Sequence, residues 1–371
     1  MKLWSCLAAF ILLMVNASFS LASESIKVAA IFAKTSKVAM GAELQLNGIR
    51  YAVEELNKKG GLLGKKLELL EFDNQGTAIG SMIAARKAVE AGVATVFGSN
   101  WSSHSLAIAP ILQEAKIPMI SNISTNPKVT LVGDYIFRVC YIDPFQGKVL
   151  ANFAIKDLKA MTAGLLVNVD GQYSEGLADF FIENYQNQGG KILFVEEYLE
   201  KNSDFTSFFE KIKKHQPEVL FHPGHTKMSA FVIKQARESG INTVFLGGDG
   251  WNDSMYKIAG SSIEGSYYTN HWHQSSANRK SLTFVDKYKS LSREFDPATA
   301  LADDCVSVFA DAVLRARSFE PPRIRDALAA TKDFEGITGA ISFDDNGDPI
   351  KPAVILKFEN GTSVYVKTVD P

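Results

Sequence analysis

Apolar positions along this chain alternate between two rhythms. Short, continuous, β-rich runs fall at Ile26 to Phe32, Lys66 to Phe72, Val93 to Phe97 and Pro118 to Ser121. Between them lie segments whose apolar residues recur at helical spacing. Ala42 to Lys58 carries Leu44, Leu46, Ile49, Val53 and Leu56 on one face and closes at Gly60-Gly61; Thr77 to Glu90 and the residues around Leu106, Ile108, Ile111 and Leu112 repeat the pattern. Continuous apolar runs suit strands covered on both faces, and strict alternation of strand with helix builds a parallel sheet. The rhythm then starts again. Strands are predicted at Ala163 to Asn168, Ile192 to Tyr198, Val219 to His222 and Val244 to Gly247, with helices at Glu175 to Gln188, Ser203 to Lys214 and Lys227 to Ser239. That restart predicts a second sheet, so the fold class is α/β with two doubly wound, Rossmann-like lobes.

The segment joining the two series, Arg138 to Pro144, reads as a strand running into a proline, which permits a crossing but not a continuing helix. After residue 272 the pattern changes to long helices at Leu282 to Glu294, Ala298 to Arg317 and Pro322 to Ala330. Hairpin material follows around Phe343 to Pro349. Asp344 to Asp348 superficially resembles a calcium loop, but its glycine comes early and no later glutamate completes it, so Asn346-Gly347 is expected to be a turn.

The N-terminus stands apart from both rhythms. Lys2 precedes an apolar stretch from Leu7 to Val15, and Ser20-Leu21-Ala22 offers small residues where a signal peptidase would cut. Residues 1–22 are therefore expected to be a signal peptide cleaved after Ala22. Leu3-Trp4-Ser5-Cys6 lies before the apolar stretch, where a lipobox would follow it, so a soluble exported protein is expected and not a lipoprotein.

With 371 residues, 46% hydrophobic, the chain has room for two full cores. Its 39 basic residues against 41 acidic ones leave a charge of −2, which gives no reason to expect nucleic acid or an anionic membrane as partner. Beyond the leader two cysteines remain, Cys140 and Cys305, too distant for a zinc knuckle and expected to be free, buried thiols.

Candidate chemistry gathers where strands end. Phe97 to Pro110, FGSNWSSHSLAIAP, stops an apolar run at Gly98 and offers serines just where a helix begins. Free N–H groups and the positive end of a helix dipole suit an anion there, although Ser102 or Ser103 could equally cap the helix. Met119 to Pro127, MISNISTNP, again delivers hydroxyls and N–H groups, and Phe245 to Trp251, FLGGDGW, delivers the carboxylate of Asp249 from the other series. In open α/β sheets this edge is where ligands sit. Donors on one lobe and a carboxylate on the other would grip a zwitterion.

Catalytic readings find less support. Ser102 with His104 or His225 and Asp249 supplies a hydrolase's residue types, but the Gly-x-Ser-x-Gly turn is absent, as are a Gly-x-Gly-x-x-Gly opening and a phosphate loop. Binding without turnover is favoured, with no cofactor. His271 and His273 present half a metal site without a thiolate or carboxylate partner, so no metal is expected; Trp101 is a candidate to pack over the ligand.

The run GAELQLNGIRYAVEELNKKGGLLGKKLELLEFDNQG at 41–76, the segment 96–127, Gly336-Ile337-Thr338-Gly339 and FDDNGD at 343–348 together resemble the type I periplasmic binding proteins of the leucine/isoleucine/valine-binding family. That resemblance covers nearly the whole mature chain and implies two lobes joined by a three-segment hinge, closing on a ligand. From the two strand–helix series and the return of helices after residue 272, lobe one is expected at 23–142 and 273–356 and lobe two at 143–272 and 357–371, with crossovers near Asp143, Trp272 and Phe358. The resemblance further implies a ligand carboxylate on Ser102, the backbone around Ser124 and Thr125, an ammonium on Asp249 and position 225, and a covering tyrosine, Tyr173. Position 225 is usually tyrosine in the family and is His225 here, which leaves the ligand's identity open. Asn122 projects from the same strand end as a further candidate. The expected partners are an amino acid or related carboxylate and the membrane permease of an ABC transporter, with the protein a periplasmic monomer; a sensory role for an amino acid, amide or aromatic acid is the alternative.

Overall fold

The computed structural model describes residues 25–35, 39–275 and 278–371, with backbone alone at 39 and 40; the expected signal peptide lies outside the described residues. The first sheet is formed by β1 (Ile26–Phe32), β2 (Leu67–Asp73), β3 (Val96–Gly98), β4 (Met119–Ser121) and β5 (Ile136–Arg138) in the order β2-β1-β3-β4-β5. Every pairing in it is parallel. Val28 to Phe32 of β1 are fully shielded, as a strand covered on both faces requires.

Helices α1 (Ala39–Lys58), α2 (Ala78–Glu90) and α3 (Ser102–Ala115) make the crossovers of this sheet. Thr77 caps α2 by accepting from the Gly80 N–H at 2.9 Å.

The polypeptide then crosses to a second sheet. Here the expectation of a strand running to Pro144 is corrected: β5 ends at Arg138, and α4 (Asp143–Asn152) begins with Pro144 in its first turn. A proline there lacks only an N–H the helix would not use, so it starts helices as readily as it ends strands. The second lobe continues with β6 (Thr162–Asn168), α5 (Gln172–Asn187), β7 (Lys191–Tyr198), α6 (Thr206–His215), β8 (Val219–Phe221), α7 (Thr226–Glu238), β9 (Val244–Gly247), α8 (Tyr256–Ala259) and β10 (Tyr267–Asn270). After that come α9 (Arg279–Ser290), α10 (Pro297–Ala316), α11 (Pro321–Ala329) and the small ribbon β11 (Phe334–Gly336) and β12 (Gly339–Ile341). α10 returns to pack on α1 within the first lobe's core, where a Cβ added to Gly48 would lie 2.6 Å from the Thr299 carbonyl. The helices cross at that close approach because Gly48 has no side chain.

Two final strands, β13 (Ala353–Glu359) and β14 (Thr362–Val369), pair antiparallel and complete a second sheet ordered β14-β13-β10-β9-β8-β6-β7. Asp348 still pairs with Arg138 in the first lobe at 2.6 Å, and Ala353 already belongs to the second sheet. The last crossing therefore occupies residues 349–352. It precedes the expected boundary at 357, and Phe358, expected near a crossover, lies inside β13. Asn346-Gly347 forms the expected turn, with the Gly347 N–H donating to the Asp344 carbonyl at 3.1 Å. Cys140 and Cys305 are free and buried.

Candidate functional site

The C-terminal edge of the first sheet is knitted together by its own serines. The Ser99 carbonyl, just past β3, lies within hydrogen-bond reach of the Ser105, Ser121 and Ser124 hydroxyls at 3.0, 2.8 and 2.9 Å. Ser124 Oγ also meets Ser105 Oγ at 2.7 Å, so its hydroxyl is committed within the protein. The Ser124 carbonyl is engaged as well, by the buried Arg138 guanidinium.

Ser102 behaves differently. It is the first residue of α3 and not its cap, a position held by Trp101, whose side chain makes no capping bond. Ser102 Oγ accepts from the Asn126 N–H at 3.2 Å, which leaves its own hydrogen available. Thr125 is fully buried, its carbonyl accepting from the Asp143 N–H at 3.0 Å while its hydroxyl has no partner. Asn122 is buried with Nδ2 donating to Gln45 Oε1 at 2.7 Å and Oδ1 unpartnered. The first lobe thus presents an uncapped helix N-terminus flanked by hydroxyls, an arrangement that favours an anion.

Four aromatic rings connect the lobes across the cleft. Trp101 stacks on His104 at 5.2 Å between centroids and on His225 at 4.2 Å and 5°, and His225 lies 5.3 Å from Tyr173. His225 precedes α7 and Tyr173 lies in the first turn of α5, so the stack joins residues of both lobes. Burial pushes the His225 and His104 imidazoles down to about 4, so both rings are neutral at pH 7. Asn126 adds a polar link, Nδ2 donating to the Gln172 carbonyl at 2.7 Å.

Asp249 follows β9 and is nearly buried. Its Oδ1 accepts from Gln146 Nε2 at 2.8 Å and its Oδ2 meets His271 Nε2 at 3.0 Å. Burial pushes the His271 imidazole down despite the carboxylate beside it, so a neutral ring donating through Nε2–H is the consistent tautomer. Tyr141 covers that ring at 3.8 Å. Tyr173 Oη accepts from the Gly250 N–H at 3.2 Å and lies so near Gly248 that a Cβ there would fall 2.3 Å from it. The Gly-Gly-Asp-Gly sequence is thus what lets the second-lobe wall close on Tyr173.

The structure brings Trp101, Tyr173 and His225 into one stack, while Ser124 and the amide nitrogen of Asn122 are held in internal bonds. Sequence reasoning missed Gln45, Asn126, Asp143 and Gln146, and it considered His271 only for metal. Asp143 and Gln146 carry no local signal: Arg138 to Pro144 reads as a strand, and only the helix opened at Pro144 sets the two one turn apart.

A family model for periplasmic binding proteins matches residues 25–362. The chain is 29% identical over 337 residues to the leucine-, isoleucine-, valine-, threonine- and alanine-binding protein of Pseudomonas aeruginosa, covering 90% of this chain and 89% of that one. Among solved structures, the leucine binding protein LivK of Thermotoga maritima superposes with a TM-score of 0.89 at 33% identity, covering 93% of this chain and 99% of that one. The branched-chain amino acid transporter substrate binding protein LivJ of Streptococcus pneumoniae, solved with isoleucine, gives 0.88 at 28%, covering 94% and 100%. Two lobes, each built on its own sheet, are the architecture shared with these solute-binding neighbours. The chain belongs to the periplasmic binding protein family, in its leucine/isoleucine/valine-binding branch, and is a solute-binding protein rather than an enzyme.

Proposed function

We propose that this protein is the periplasmic receptor of an ABC transporter and binds an amino acid between its lobes. The ligand's carboxylate takes the N-terminus of α3, the Ser102 and Thr125 hydroxyls and the backbone around Ser124. Its ammonium takes Asp249, while Trp101, Tyr173 and His225 enclose the ligand and Asn122 borders it. The observation that carries this reading is the division of polar groups between the walls: leftover hydroxyl hydrogens and a helix N-terminus on one side, the buried carboxylate of Asp249 on the other. Charge-assisted bonds of about 1.5 to 3 kcal/mol each, less the cost of desolvation and closure, suffice for the roughly 8 kcal/mol of micromolar binding.

Export would remove residues 1–22, and the monomer would deliver ligand to a membrane permease; intact mass of the exported protein should place its start at Ser23. Closure about the crossings would assemble the two walls. Thermal-shift screening of the standard L-amino acids with benzoate as a control, followed by calorimetry, tests the reading. A stabilising L-amino acid supports it; binding of benzoate with no response to any amino acid would refute it.

A further inference from the structure

One buried group is unused by this reading. Asp143, the first residue of α4, is fully shielded from solvent, and neither carboxylate oxygen accepts a well-formed hydrogen bond among the described residues, the Thr125 hydroxyl being the side-chain donor that acts on it. The side chain is not there by looseness, because its backbone N–H is bonded to the Thr125 carbonyl at 3.0 Å. A buried carboxylate without donors is among the costliest features a fold carries.

Its surroundings do not compensate it. Arg138, the cation acting on it, is already paired with Asp348 at 2.6 Å, and Asp249 adds a like charge. Gln146, one turn along α4, directs its amide nitrogen to Asp249, Thr269 and Tyr141 at 2.8, 2.9 and 3.1 Å and leaves Oε1 unpartnered. The Thr125 hydroxyl, the side-chain donor acting on Asp143, is neutral and makes no well-formed bond to it. Asp249, by contrast, has a protein donor on each oxygen. The unmet demand is thus for hydrogen-bond donors carrying positive charge, and a primary ammonium supplies both.

Resting on the amino-acid reading above, we infer that Asp143 is the second acid of the ammonium site, so that the cleft selects ligands bearing a cationic ammonium beside their carboxylate. Asp249, fixed by Gln146 and His271, orients the cation; Asp143 supplies the empty lone pairs. Burial first, and then Asp249, push the Asp143 carboxyl well above its ordinary value, which favours its protonated form while no cation lies beside it. An arriving ammonium reverses that bias and favours release of the proton to solvent.

The test compares wild type with Asp143→Asn in calorimetry against L-leucine and 4-methylpentanoate, which share a carbon skeleton but differ in the ammonium, together with melts of the ligand-free proteins. The variant should bind L-leucine about 10- to 100-fold more weakly, change little towards 4-methylpentanoate, and melt higher without ligand. Wild type should also release a proton on binding L-leucine, seen as a buffer-dependent enthalpy, and the variant should not. Unchanged L-leucine affinity in the variant, with Asp249→Asn still weakening it, would overturn the inference and leave the amino-acid reading standing. Equal losses for both compounds with a lowered melting temperature would mark Asp143 as structural. If wild type binds neither L-leucine nor any other standard L-amino acid, the reading and the inference fall together. Should Asp143→Asn not be recovered folded, Asp143→Ser serves the same comparison.

Discussion

The two walls of the cleft are built on opposite principles. On the first lobe the polar groups largely satisfy one another: Ser99, Ser105, Ser121 and Ser124 form a closed set, and Asn122 is tied to Gln45. Only a few donors are left over, chiefly the Ser102 and Thr125 hydroxyl hydrogens and the start of α3. The second wall, with the crossing into α4, carries the buried acids Asp143 and Asp249 and the free acceptor of Gln146. A preformed donor shell costs little to keep empty, because its members bond to each other. Uncompensated acid is costly to keep empty, so the second wall should be where ligand adds most stability and where mutations discriminate most between ligands.

The change with the largest expected effect on that contrast is Asp249→Asn. It keeps the shape and removes the charge, and should weaken an α-amino acid by about 2 kcal/mol or more while sparing its deaminated analogue, as calorimetry would report. Equal effects on both would mean that the second wall does not read the ammonium. Gly248→Ala comes next. A methyl placed 2.3 Å from Tyr173 Oη and 2.7 Å from Leu177 must displace one of them, and should cost about 1 to 3 kcal/mol of stability in denaturant melts.

Smaller effects should separate two serines of the first wall. Ser102→Ala should cost about 1 kcal/mol of affinity for amino acid and deaminated acid alike, because the donor it removes faces the cleft. Ser124→Ala should instead lower stability by about 1 kcal/mol with little selective loss of affinity, because its hydroxyl bonds to Ser99 and Ser105. Paired titrations and melts of the two variants would show whether the donor shell is divided in this way.

The subtlest expected signature is in pH. In the ligand-free protein the Asp143 carboxyl is raised above 3.8, its ordinary value, so above 3.8 the folded state holds a proton that the unfolded state has released. That group's penalty grows with rising pH until the folded-state value is passed, and it vanishes below 3.8. The extra stability of Asp143→Asn over wild type should accordingly be greatest at neutral pH and above and shrink towards pH 4. A difference that grows on acidification would contradict this assignment.

Much of the molecule was legible because strands buried on both faces write themselves as unbroken apolar runs. Ile26–Phe32 and Val244–Gly247 appear with the expected limits, and the restart after residue 160 gave the second sheet. The hairpin Ala353–Glu359 and Thr362–Val369 went unread as a pair of strands, although Thr362–Val369 alternates between more and less exposed positions as an edge strand does. Ser102, Trp101, Tyr173, His225 and Asp249 could be found by asking what lies at strand ends. Asp143 and Gln146 could not, because their meaning depends on Pro144 opening a helix and on that helix packing by β10, where Gln146 reaches Asp249 and Thr269. Likewise, no local pattern tells that Ser124's hydroxyl turns inwards while Ser102's retains a free hydrogen; only the closure of Ser99 with its neighbours decides it.

A crystal structure grown with the L-amino acid that gives the largest thermal shift is the measurement that bears most directly on how the walls divide their work. The account predicts the ligand carboxylate at the start of α3 beside Ser102 and Thr125, with the ammonium between Asp143 and Asp249. A ligand bound the other way round, or an ammonium left to solvent with both acids unoccupied, would contradict it.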